Sequence, residues 1–140
     1  MNVLVIDGQG GQLGGQIIKL LKGNFPELDI IAVGTNATAT ATMLKAGARQ
    51  AATGENSVVV ACRKADVIIG PIGIVVADAM LGEVTPQIAT AVGQADAIRM
   101  LLPVNKCDNI IVGMSEISVT EVLQDMLVKV KNIVELNVRL

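Results

Sequence analysis

Val3-Leu4-Val5-Ile6-Asp7-Gly8-Gln9-Gly10-Gly11-Gln12-Leu13-Gly14-Gly15 is the stretch on which the reading of this chain turns. A β-branched run, a glycine-rich turn and an amphipathic stretch carrying Leu13, Ile17, Leu20 and Leu21 read as strand, tight turn and helix. Glycine suits such a turn twice over: the backbone needs positive φ, and an anion must approach without meeting a Cβ. Free N–H groups at the head of the helix then face that anion.

Working outward, the same alternation continues. Lys22-Gly23 has the signature of a helix end, and Asp29 to Val33 reads as a second strand. Ala37 to Ala46 alternates alanine and threonine, a period-2 pattern. Asn36 as N-cap and Gly47 as the residue past the end nevertheless favour a helix. Arg49 to Thr53 is a weak third strand, Gly54-Glu55-Asn56 opens a helix through Lys64, and Ala65 to Gly70 is the fourth strand. Gly73 to Leu81 is expected as a short helix broken at Gly82, with Thr85-Pro86 restarting it as N-cap and N1. Ile98 to Leu102 and Asn109 to Val112 read as strands five and six. Ser118-Val119-Thr120-Glu121 has capping-box spacing, and Val119, Val122, Leu123, Met126, Leu127, Val130, Ile133 and Val134 make one apolar stripe on a long C-terminal helix.

Strands alternating with helices imply βαβ units with right-handed crossovers. The expected fold class is α/β, a single Rossmann-like domain over residues 1–140. Its sheet is mostly parallel and doubly wound, with five to six strands in the order 3-2-1-4-5, an edge strand and helices on both faces. At 140 residues no disulfide or metal is needed to complete a core. The apolar content is nearly all aliphatic, with one phenylalanine and no tryptophan or tyrosine, as suits parallel strands covered on both faces.

Composition also excludes. A net charge of −2 and the lack of aromatic stacking platforms argue against nucleic acid as a partner. The longest apolar run, Val67 to Ala77, is interrupted by Gly70, Pro71 and Gly73 and is too short to span a membrane. Met1 leads almost directly into a strand without a basic leader or cleavage site, so a cytoplasmic protein is expected. Cys62 and Cys107, with no histidine in the chain, read as buried reduced thiols.

In a sheet of this order the ligand crevice lies where the direction of winding reverses, between strands one and four. Both of those strands end in glycine turns, Gly8 to Gly15 and Gly70-Pro71-Ile72-Gly73. The candidate cofactor-binding residues are Gly8, Gln9, Gly10, Gly11, Gln12, Leu13, Gly14, Thr35, Asn36, Gly70, Pro71 and Ile72. A G-x-G-x-x-G reading fails at Leu13; the spacing that fits is G-x-x-G-x-x-G on Gly8, Gly11 and Gly14. That turn, with Gly11-Gln12-Leu13-Gly14 inside it, resembles the nucleotide-binding turn of extended and atypical short-chain dehydrogenases/reductases. The resemblance implies NAD or NADP on Gly8, Gly11 and Gly14. The second strand ends in Gly34-Thr35-Asn36 without the acid that would bond ribose hydroxyls, and Lys45 or Arg49 would supply charge for a 2′-phosphate. This tilts the choice toward NADP.

The Tyr-x-x-x-Lys machinery of those reductases is missing, since the chain has no tyrosine. Catalysis would fall to carboxylates, lysines, hydroxyls or the two thiols, with Asp7 beside the turn and Glu83 after Gly82 as candidates; Asp78 and Glu83 also read as solvated or capping residues. A second resemblance runs along the chain, through Asp7-Gly8-Gln9-Gly10-Gly11, Gly34-Thr35-Asn36, Met43 to Ala48, Ala52 to Asn56, Gly70 to Gly73 and Met80 to Pro86. These segments resemble an uncharacterised bacterial family of small stand-alone Rossmann-like proteins, which supports the fold and implies no activity.

Three functions stay open. The first is a regulatory module that binds NAD(P) or another phosphate-bearing nucleotide, with a possible homodimer through the C-terminal helix. The second is a small enzyme acting on a phosphorylated or carboxylated metabolite, and the third a structural protein without a ligand.

Overall fold

The computed structural model describes residues 1–104 and 108–136; Cys107, expected as a buried thiol, lies outside them. The elements run β1 (Asn2–Asp7), α1 (Gln12–Asn24), β2 (Asp29–Gly34), α2 (Ala37–Ala46), β3 (Gln50–Thr53), α3 (Glu55–Cys62), β4 (Val67–Pro71), α4 (Pro86–Gln94), β5 (Ile98–Leu102) and α5 (Val119–Leu136). The strands form one all-parallel sheet in the order β3-β2-β1-β4-β5. The winding reverses at β1, so β1, β2 and β4 end side by side at the carboxyl edge.

Alternation along each strand explains the continuous apolar runs. Val3 and Val5 of β1, with Ile30 and Ala32 of β2, pack beneath α1, α2 and α5. Leu4 and Ile6, with Val33 and Ile68, pack beneath α3 and α4. Both faces of the central strands are covered, so β1 is buried from Val3 to Asp7 and β4 throughout.

The helix ends follow side-chain chemistry. Asn36 Oδ1 accepts from the Ala39 amide, and Gly47 follows α2 at φ 122°, so the alanine–threonine stretch is a helix despite its period of two. Thr85 caps α4 through the Ile88 amide, with Pro86 next to it. Ser118 Oγ accepts from the Glu121 amide at the head of α5.

Three expectations of detail change. α1 runs through Gly23 to Asn24. The helix expected over Gly73 to Leu81 is one 3-10 turn, Ile72–Val75, followed by turns to residue 84. Asp78, Met80, Leu81 and Gly82 all have positive φ there, which no helix accommodates. Asn109 to Val112, expected as a sixth strand, is irregular chain with Ile110 and Val112 exposed, so the sheet has five strands.

In α5, Val122, Leu123, Met126, Val130 and Ile133 are buried against the sheet and α1. Most of the stripe closes the chain's own core. Among the described residues no helix is long and apolar enough to cross a membrane.

Candidate functional site

Three segments meet over the carboxyl edge: the turn after β1, the Thr35-Asn36 corner after β2, and the loop from Val76 to Val84 after β4. Asp7 ends β1 and is the one charged side chain buried among the described residues. Its Oδ1 accepts from the Gly8 amide at 2.8 Å and its Oδ2 from the Gly14 amide at 2.8 Å. Gly11 is the N-cap of α1 and has no side chain to offer, so the strand preceding the helix supplies the capping carboxylate instead. Burial is the largest influence on Asp7 and holds its pKa above the ordinary carboxylate range. The two amides pull the other way, and the nearby Glu83 charge adds to the rise.

Glu83 reaches across the crevice. Its Oε1 accepts from the Gln9 amide at 2.9 Å, the Thr35 hydroxyl at 2.7 Å and the Asn36 side-chain amide at 2.7 Å. Desolvation is the largest single influence and raises its pKa. The three donors outweigh it together, and the group sits below its ordinary value. Asn36 is committed twice, since its Oδ1 caps α2 while its Nδ2 also donates to the Gln9 carbonyl at 2.9 Å. One residue thus couples the β1 turn, the α2 head and the β4 loop.

Gly8, Gly11 and Gly14 are glycines because protein packs against them. A Cβ on Gly8 would lie 2.6 Å from Thr35 Oγ1 and 2.7 Å from Met80 Sδ. On Gly11, at φ 73°, it would lie 2.7 Å from the Ala39 Cα, and on Gly14 2.6 Å from Met43 Sδ. Close approach is required, but the approaching groups belong to the chain itself.

The expected site residues are therefore brought to one edge, in different states. Gly8, Gln9 and Gly14 have their amides on Asp7 or Glu83, and Thr35 and Asn36 are held by Glu83. Among the described residues no side chain accepts from the amides of Gly10, Gln12 or Leu13. Gly70 and Pro71 end β4 in pairing with Leu101 and Leu102, with Ile72 just beyond. Asp78 is exposed on the turn. Met80, which covers Gly8, was not signalled by the sequence, where it reads as one more apolar residue of an expected helix.

The expectation of NAD or NADP is corrected. Asp7 and Glu83 take the Gly8, Gly14 and Gln9 amides that were expected to face a pyrophosphate. Arg49, expected to meet a 2′-phosphate, instead pairs with Asp29 at the start of β2. That is about 20 Å from Thr35 at the rise of a parallel strand. Lys45 lines a groove of about 370 Å³ between α1 and α2, with Gln12, Gln16 and Lys19.

A family model described as "Domain of unknown function (DUF3842)" matches residues 2–135. No curated protein matches the chain. Among solved structures, the chain is similar to a dodecameric FMN-dependent Ubix-like decarboxylase from Escherichia coli O157:H7. The identity is 18%, the TM-score 0.47, and the match covers 94% of this chain and 75% of that one.

Proposed function

The chain belongs to the family described as a domain of unknown function, DUF3842, and because membership assigns no activity we propose from the geometry that it is a binding module for a small anionic metabolite. The ligand sits in the crevice over the ends of β1, β2 and β4, and the module is regulatory rather than catalytic. The observation that carries this reading is the convergence of three donors, from two different strand ends, on one carboxylate oxygen at the sheet's reversal point. Such a set recognises an anion, and here it is filled by a side chain.

Acid–base catalysis by the two candidate carboxylates is less well supported. A general acid or base works best with a pKa near the operating pH and a free path to its proton. Asp7 has both oxygens on backbone amides, and Glu83 is held below its ordinary value. A cytoplasmic setting fits the buried, unpaired Cys62, whose thiol burial pushes up to about 11.

Calorimetric titration with a panel of carboxylated and phosphorylated metabolites tests the proposal, together with mass spectrometry of small molecules retained on native purification. A saturable ligand that shifts the NMR signals of Gln9 and Asn36, without turnover, is expected. Silence across the panel and an empty native protein would overturn it. The structural reading is favoured by one specific observation, the protein atoms packed on Gly8, Gly11 and Gly14, and that silence is its expected result.

A further inference from the structure

We propose that Glu83 is a resident stand-in for the ligand. The Gln9 amide, Thr35 hydroxyl and Asn36 amide form a carboxylate site, and the natural occupant is a small carboxylic acid that enters by exchange with the Glu83 side chain. This deepens, and rests on, the binding-module reading above.

Charge selects the class. All three donors are neutral, and no described lysine or arginine forms an ion pair with Glu83 or Asp7. The Glu83 charge is close enough to raise the pKa of Asp7. A phosphate dianion would add a second negative charge to a crevice that already holds buried Asp7. A monoanionic carboxylate reproduces what the site now holds, with charge-assisted bonds at 2.7 to 2.9 Å.

The geometry also says what moves. Glu83 is only partly buried, whereas its neighbours Met80 and Val84 are buried. The loop backbone is tied by Asp78 N–H to the Val84 carbonyl at 2.7 Å and by Val84 N–H to the Ala79 carbonyl at 3.1 Å. Exchange therefore needs rotation of one side chain at the rim, with the loop in place. Since the resident carboxylate occupies the donors most of the time, it lowers the apparent affinity of any free acid.

The test removes the stand-in. Glu83→Ala should be less stable than the wild type, and acetate should restore melting temperature to it by several degrees while leaving the wild type unmoved. The apparent affinity for acetate should rise at least ~10-fold over the wild type on that population argument. Inorganic phosphate should not substitute, and the double variant Thr35→Val, Glu83→Ala should lose the response. Where Glu83→Ala does not fold, Glu83→Gln takes its place, read by acetate-dependent shifts of the Gln9 backbone and Asn36 side-chain amides. No acetate response in either variant, or an equal response to phosphate or chloride, overturns the inference. A wild-type ligand that shifts Gln9 and Asn36, with no acetate response in the Glu83 variants, sinks it while sparing the module. Acetate rescue in a protein whose wild-type form binds no metabolite keeps the donor site and sinks the module.

Discussion

At the scale of single residues, Asp7 and Glu83 are two carboxylates with opposite pH signatures. The folded state raises the pKa of Asp7, so it binds that proton more tightly than the unfolded chain does. The contribution of Asp7 is then greatest below its unfolded value of ~4 and is lost as pH rises through its folded pKa. Glu83 is lowered, so its contribution is present above ~4 and is lost as pH falls through its folded value. Urea unfolding of the wild type, Asp7→Asn and Glu83→Gln from pH 3 to about pH 7 checks the signs. The wild-type advantage over Asp7→Asn should shrink as pH rises, and that over Glu83→Gln should grow. Parallel curves for the two pairs contradict this account. Asn36→Asp gives a second test, because Asp retains the oxygen that caps α2 but sets a carboxylate against Glu83. A loss of ~1–2 kcal/mol in the wild type, smaller in the Glu83→Gln background, is expected from losing a charge-assisted bond. An additive cycle would show that the two side chains do not communicate.

At the scale of elements, the head of α1 and the loop after β4 are mutually constrained. Gly11→Ala places a Cβ on a φ of 73° and against the Ala39 backbone. A cost of ~2–4 kcal/mol follows from left-handed strain and overpacking together. Chemical denaturation reads it, and a change under ~0.5 kcal/mol, the scale of ordinary surface substitutions, would refute the packing. Loss of binding in that variant would say nothing about a ligand, since the helix junction itself is disturbed. The loop after β4 carries left-handed backbone at Asp78, Met80 and Leu81 as well as Gly82. Three non-glycine residues in that region cost roughly 1–2 kcal/mol each. Burial of Met80 and Val84 and the Glu83 bonds hold them there. The sequence motif Gly82-Glu83 marked the break, but the conformation on either side of it is set by what the loop packs against.

At the scale of the whole molecule, two apolar layers sandwich the sheet and α5 completes one of them. Met126→Ala should cost ~2–5 kcal/mol as a buried large-to-small change. Val128→Glu, on the exposed side of the same helix, should alter stability by no more than ~0.5 kcal/mol and leave the hydrodynamic size unchanged. Thermal unfolding and size-exclusion chromatography of both variants decide this. A large effect at Val128 would mean that the outer face of α5 is covered in solution.

Periodicity, caps and glycine turns were enough to specify the first five strands and most of the helices between them, because those signals are local and each is written in a few neighbouring residues. The order followed from the βαβ crossover rule, and the expected sixth strand and the helix over Gly73 to Leu81 did not form. The local signals also placed Asp7, Gly8 to Gly14, Thr35, Asn36 and Glu83 at one end of the sheet. What only the tertiary structure decided is who faces whom there. Glu83 lies 74 residues from Gln9 and 48 from Thr35, and no local pattern encodes a bond across such a separation. A glycine required by a neighbouring Met80 or Ala39 is written in the sequence just as a glycine cleared for a phosphate would be. Close approach demands the same residue whether the approaching atom comes from a ligand or from the chain itself.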